Sequence, residues 1–258
     1  MKITVLVENT TCSESFLCEH GLSLYIETGD AKILFDAGQS HAFMENAVKL
    51  GIDLAQVDFA VLSHGHYDHS GGFSRFLEIN KTAPVYVSPH AFGPHYNASH
   101  KYIGMDPALA ESGRWIFAQD GLQCVPGVTL RTGGAPRHPA ETWGLCRLEN
   151  GRFLPEDFRH EQYLLITEGD RRICVSGCSH RGILNIMDWF RPDVLIGGFH
   201  FVKLEPQSPV LTAAGKALAE YPATYYTGHC TGEAQFNRLK DILGQRLLPL
   251  STGMTITI

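Results

Sequence analysis

Nothing in this sequence of 258 residues approaches the apolar run, about 20 residues long, that an α-helix needs to cross a bilayer. Positive charge is also scarce. The chain has 21 Lys and Arg against 27 Asp and Glu, a formal charge of −6, which argues against a general electrostatic grip on nucleic acid or anionic membrane. A small-molecule substrate is the expected partner, and nothing in the sequence fixes an oligomeric state. The N-terminus lacks a basic segment followed by an apolar signal core and opens directly into Lys2-Ile3-Thr4-Val5-Leu6-Val7-Glu8, so a cytoplasmic location is expected. Cysteine is present but unorganised: seven residues, an odd number, with Cys12/Cys18 and Cys174/Cys178 not spaced as zinc-finger pairs. Reduced thiols are expected rather than a disulfide framework.

Short β-branched runs separated by turns and amphipathic stretches make up most of the chain. Alternation predicts strands at 2–8, 22–28, 31–35, 57–63, 84–88, 127–132, 162–167, 171–176, 193–197, 223–227 and 254–258. Helical spacing predicts helices at 40–50, 71–79, 181–190, 211–220 and 232–243. Each half runs from a strand meander into alternating strands and helices, which predicts two similar halves with sheets face to face and helices outside. No low-complexity linker divides the chain, so one domain over 1–258 is expected. The stretch 90–126, rich in His, Tyr, Gly and Pro, reads as an inserted loop or lid, with Phe92, His95, Tyr96 and Tyr102 available to stack a flat heterocycle or to form a small satellite core.

The chemistry concentrates where the run Val57–Leu62 ends in Ser63-His64-Gly65-His66-Tyr67-Asp68-His69-Ser70-Gly71-Gly72. At a strand end, alternate residues point to one side, so His64, His66 and Asp68 can converge, and His69 swings in as the chain turns. Imidazole nitrogen with carboxylate oxygen suits zinc, and also iron or manganese.

These residues resemble the metallo-β-lactamase superfamily, which implies an α/β fold, a four-layer αββα sandwich, with a mono- or binuclear metal site. Ile33-Leu34-Phe35-Asp36-Ala37-Gly38 is similar to an early element of that family, whose Asp supports the metal-binding histidines; a simple turn cap is the other reading of Asp36. His229, in Tyr226-Thr227-Gly228-His229-Cys230, matches a late Gly-His element that implies a ligand of a second metal. The sequence departs from the family at 177–180. Most members place Gly-Asp there, the Asp bridging both metals, and carry an earlier Gly-His; here Gly177-Cys178 stands instead. Either His180 completes a first site with His64 and His66, opposite Asp68, His69 and His229, or the Cys178 thiolate enters the metal sphere. His160 and His138 are weaker candidates for the earlier ligand.

Glu19-His20-Gly21-Leu22-Ser23, Gly177-Cys178-Ser179-His180-Arg181-Gly182 and Ile196-Gly197-Gly198-Phe199-His200 resemble one branch of the superfamily, that of the 7,8-dihydropterin-6-methyl-4-(β-D-ribofuranosyl)aminobenzene-5′-phosphate synthases and related metal-dependent hydrolases. His20 and His200 are expected either to face substrate as acids or hydrogen-bond donors, or to be structural. Arg181 and Arg137 either bind phosphate or lie on the surface. The leading expectation is hydrolysis of a small anionic ester, phosphoester or lactone by water activated between two zinc ions, with Asp68 orienting it and His200 protonating the leaving group. The alternatives are group transfer of the pterin type and a non-catalytic metal-bound sensor.

Overall fold

The computed structural model describes all 258 residues. Two seven-stranded sheets form its centre, and each repeats one pattern: three antiparallel pairings followed by three parallel ones. In the first sheet the order is Thr255–Thr257, Lys2–Val7, Ser23–Glu27, Lys32–Phe35, Phe59–Val61, Val85–Val87 and Trp115–Phe117, with the parallel pairings beginning at Lys32–Phe35. The second sheet runs Leu122–Val125, Val128–Arg131, Tyr163–Glu168, Arg171–Val175, Val194–Ile196, Thr224–Thr227 and Leu247–Pro249, turning parallel at Arg171–Val175.

Alternation along each strand divides the apolar residues between two faces. Ile33, Phe35, Phe59 and Val61 of the first sheet meet Leu164, Ile166, Ile173 and Val175 of the second in a fully apolar layer between the sheets. Leu34, Ala60 and Leu62 point the other way, onto Phe43 of α1 (Ala42–Lys49) and Phe73 and Phe76 of α3 (Phe73–Ile79), which follows the one-turn α2 (Tyr67–Ser70). Tyr163, Cys174, Leu195 and Tyr225 are covered in the same way by α4 (Ile183–Phe190), α5 (Pro209–Ala219) and α6 (Glu233–Leu243). Helix, sheet, sheet and helix therefore lie in four layers, and residues 36, 63–69, 177–180, 200 and 229 all follow the carboxyl ends of parallel strands, where open α/β sheets place their ligands.

The strand expected over 57–63 stops at Val61, and the helix expected over 71–79 begins only at Phe73, after Gly71-Gly72. A side chain at Gly72 would meet the Ala37 carbonyl oxygen at 2.1 Å, so the chain bends here against backbone. The stretch 90–126 is only in part a loop. Trp115–Phe117 and Leu122–Val125 are edge strands, one of each main sheet, and His95–Tyr96 pairs with the hairpin Cys146–Glu149/Arg152–Pro155. That hairpin turns on Asn150-Gly151 with φ of 51° and 73°, an Asn-Gly signal that sequence reading passed over. Phe92 packs edge-on to Trp115 at 5.2 Å against the helix-side core of the first sheet, and Tyr96 packs on Tyr102 and Phe153 nearer the surface. All seven cysteines are free, and no helix is long and apolar enough to cross a membrane.

Because Phe35 is wholly buried between the sheets, Phe35→Ala is expected to cost about 3–5 kcal/mol of stability, whereas Val48→Ala, at a position 74% exposed, should stay within about 0.5 kcal/mol. Denaturant unfolding of the two variants checks this.

Candidate metal centre

The motif histidines are brought together by a bend and a single helical turn, not by alternation along a strand. His64 to His66 lie in the bend after Val61, and Asp68 and His69 occupy α2. Gly65 permits this, since a Cβ there would lie 2.0 Å from the Ala91 carbonyl oxygen. His64, His66, Asp68 and His69 are all buried, as are His180 and His229 from the second half.

The protons on these rings follow from their rear contacts. Asp36, fully buried and held at φ 56°, accepts from the Ser63 backbone N–H (2.7 Å), the Ser63 hydroxyl (2.7 Å) and His69 Nδ1 (2.7 Å). The Ser63 hydroxyl, having given its one proton to Asp36, accepts from His64 Nδ1 at 2.8 Å. His229 Nδ1 donates to Asn9 Oδ1 at 2.9 Å. Each of His64, His69 and His229 in its neutral form therefore carries its lone pair on Nε2. His69 Nε2 and His229 Nε2 face each other at 3.2 Å, and His64 Nε2 stands 3.2 Å from His180 Nε2. Either a proton on one ring of a pair or a cation held by both can occupy the space between two such nitrogens. For a tetrahedral zinc with bonds of about 2.0–2.1 Å, two nitrogen ligands lie roughly 3.3–3.4 Å apart. The donor set fits a cation.

Asp68 Oδ2 approaches His229 Nε2 at 3.3 Å, His69 Nε2 at 3.7 Å and His20 Nε2 at 3.3 Å. Cys178 Sγ is 3.1 Å from His69 Nε2 and can share a cation with His64 and His180 or with His69 and His229. The structure thus brings His180 and Cys178 to the centre together. The His66 ring lies 4.6 Å from that of His64 and 4.8 Å from that of His180, but its Nε2 is buried without a partner on the side of His95 and His160. His95 donates through Nδ1 to Glu156 Oε2 at 2.8 Å, leaving a lone pair on Nε2. His160 accepts the Gly65 N–H through Nδ1 at 2.9 Å, so its neutral ring carries the proton on Nε2 and has no lone pair there for a metal. His160 is accordingly a poor ligand despite its place in the cluster.

Burial and mutual repulsion keep most of these rings neutral. Burial, aided by His69 and other rings, holds His64 well below its ordinary range; it lowers His66 to about 3 and His229 to about 4. His180 is likewise held well below its ordinary range by burial, then by His200 and His64. His69 is the exception. Burial would lower it, but the Asp36 and Asp68 carboxylates prevail and raise it.

Further buried carboxylates hold the loops. Glu161 accepts from the backbone N–H of His180 (2.7 Å) and of Arg181 (3.0 Å), and Glu8 from the backbone N–H of His229. Neither glutamate was singled out from the sequence; each follows or precedes an ordinary strand and carries no local signal. His20 lies at the mouth, its side chain 54% exposed, and the partly buried His200 ring packs 4.2 Å from that of His180. His138 does not reach the centre and bonds Asp188 at 3.0 Å. Arg181 is engaged elsewhere, donating to the Thr132 and Gly134 carbonyls and stacking on Trp189, which leaves its guanidinium unsuited to gripping phosphate. Arg137 is exposed and contributes its backbone N–H to Asn185.

A family model described as "Metallo-beta-lactamase superfamily" matches residues 18–229. The 7,8-dihydropterin-6-methyl-4-(β-D-ribofuranosyl)-aminobenzene-5′-phosphate synthase of Methanocaldococcus jannaschii is 32% identical, over 99% of this chain and 96% of that protein. A solved structure described as a metal-dependent hydrolase of the beta-lactamase superfamily superposes with a TM-score of 0.86 at 28% identity, covering 100% of this chain and 99% of the other. The fold is also that of zinc-bound PqqB from Methylobacterium extorquens, with a TM-score of 0.60 at 12% identity over the full length of both chains.

Replacing Asp36 by Asn turns a donor toward His69 Nδ1 or Ser63 and is expected to weaken zinc binding about 10–100-fold, read by competition with a chromophoric chelator. In metal-free protein, His66 and His229 have folded values of about 3 and about 4 against the ordinary 6.5. The unfolded chain therefore binds more protons between those limits, and stability must fall as pH drops from 6.5 toward 4. Thermal melts of chelated protein across that range should show a steadily falling midpoint.

Proposed function

The chain belongs to the metallo-beta-lactamase superfamily, and from this membership and its site we infer that it is a metal-dependent hydrolase with two zinc ions. The observation that carries this reading is the convergence of His69 Nε2, His229 Nε2, Asp68 Oδ2 and Cys178 Sγ, with the two ring nitrogens 3.2 Å apart. His64 and His180 would hold one cation, with the Cys178 thiolate within reach, and Asp68, His69 and His229 the other; His66 would join the first set once its ring turns from His95 and His160. Iron or manganese would suit the same donors. When bound, such cations polarise a carbonyl or phosphoryl oxygen and lower the pKa of water toward neutrality.

The chain's own residues handle the proton. Asp68 Oδ2 is within 3.3 Å of His20 Nε2, and the half-exposed His20 can pass a proton between Asp68 and solvent. His200 is lowered to about 4, first by burial and then by His229, so it is neutral at neutral pH. It is better suited to orient a substrate by hydrogen bonding than to protonate a leaving group, and the acid role passes to His20.

Group transfer is the second reading, favoured by the likeness to the dihydropterin synthase over nearly the whole chain. Purified protein is expected to hold about two metal ions per chain and to hydrolyse members of a panel of carboxylic esters, lactones and phosphodiesters, losing turnover on chelation. Adding a pterin diphosphate analogue with an arylamine acceptor separates the readings, since a coupled product in place of the hydrolysed one favours transfer. Metal content near zero after incubation with zinc would sink both. His20→Gln should lower kcat on the order of 100-fold with metal content unchanged, as measured by steady-state kinetics and elemental analysis.

A further inference from the structure

A cavity of about 430 Å³ opens beside the metal centre, and His180 and His200 form its inner wall. The rest comes from the start of α4, from one face of α5 and from the loops around 139–143 and 199–204. Eleven of its eighteen lining residues are hydrophobic, and none is lysine or arginine. Trp143, Phe199 and Phe201 bring the aromatic surface, while Ala213, Ala214 and Ala217 of α5 keep the opposite wall low.

The cavity is held open by specific contacts. Trp143 sits at φ 54°, a left-handed conformation that a bulky residue rarely adopts without support, and its carbonyl accepts from Lys203 Nζ at 3.1 Å. No guanidinium or ammonium within it could neutralise a phosphate, and a buried phosphate without a cation is strongly disfavoured. At about 30 Å³ for a methylene-sized group, the space admits on the order of ten non-hydrogen atoms.

We propose that this cavity binds an uncharged, apolar acyl or aryl group of the substrate, whose scissile bond then lies at the metal centre next to His180. The proposal rests on the metal-dependent reading above and names its substrate class: esters, amides or lactones of a medium-length hydrophobic acid, in preference to compact phosphoesters. Charge on the substrate is confined to the reacting end.

A series of n-alkyl hydroxamic acids, from acetyl through butyryl, hexanoyl and octanoyl to decanoyl, tests this on zinc-loaded protein by titration calorimetry. Hydroxamates bind metal without turning over, so their affinity is read whether the enzyme hydrolyses or transfers. Each buried methylene is expected to tighten binding at least about twofold, levelling off once the cavity is full. Ala213→Trp, at an exposed position of α5, fills the cavity without disturbing the core and should abolish the dependence on chain length while leaving acetohydroxamate binding unchanged. Straight-chain alcohols titrated into chelated protein read the cavity without metal and should show the same trend. Affinity independent of chain length in both series, or a trend that survives Ala213→Trp, would overturn the proposal. Alcohols that follow the trend while no hydroxamate binds would support the cavity and count instead against the metal centre.

Discussion

One buried carboxylate governs the centre. Asp36 receives three donors, and through them it fixes the bend at Ser63, the proton on His69 Nδ1 and, by way of the Ser63 hydroxyl, the proton on His64 Nδ1. A neutral imidazole has one proton and one lone pair, so fixing the rear nitrogen aims the front one. The Nε2 atoms of His64 and His69 therefore face the pocket before any ion arrives. Such preorganisation explains why a residue that touches no cation can matter as much as one that does.

The other loops are tied by the same device across the two halves of the molecule. Glu8 follows the strand Lys2–Val7 of the first sheet yet holds the backbone of His229, which follows a strand of the second; Asn9 next to it orients the His229 ring. Glu161 fixes His180 from the neighbouring loop of its own sheet. Assembly of the ligand set thus depends on closing the apolar layer between the sheets. Burial that stabilises the sandwich also desolvates the rings and keeps most of them neutral, the state in which imidazole can ligate.

Cys178 stands where most relatives of this kind carry an aspartate, and its sulfur is near both halves of the centre. Burial pushes its thiol well above the ordinary range, so only a close cation would draw off the proton. The apolar cavity alongside carries no lysine or arginine to grip a phosphate. Both arginines that sequence reading offered for that task are accounted for: Arg181 is tied to backbone carbonyls and Arg137 lies on the surface.

By itself the sequence determined the layered fold and the density of ligands around 64–69, because strand alternation and a compact His/Asp motif are local patterns that survive any folding detail. It also marked Asp36, His180, Cys178 and His229 as residues for the centre. Only the tertiary structure decided which rear contact sets each ring's proton, and hence that His160 faces the cluster with the wrong nitrogen protonated. The parts played by Glu8, Glu161, Ser63 and Asn9 were equally out of reach, since each acts on a residue far away in the chain or through a single hydroxyl proton. The apolar cavity joins helices α4 and α5 with two distant loops, and no one-dimensional pattern records a space between them.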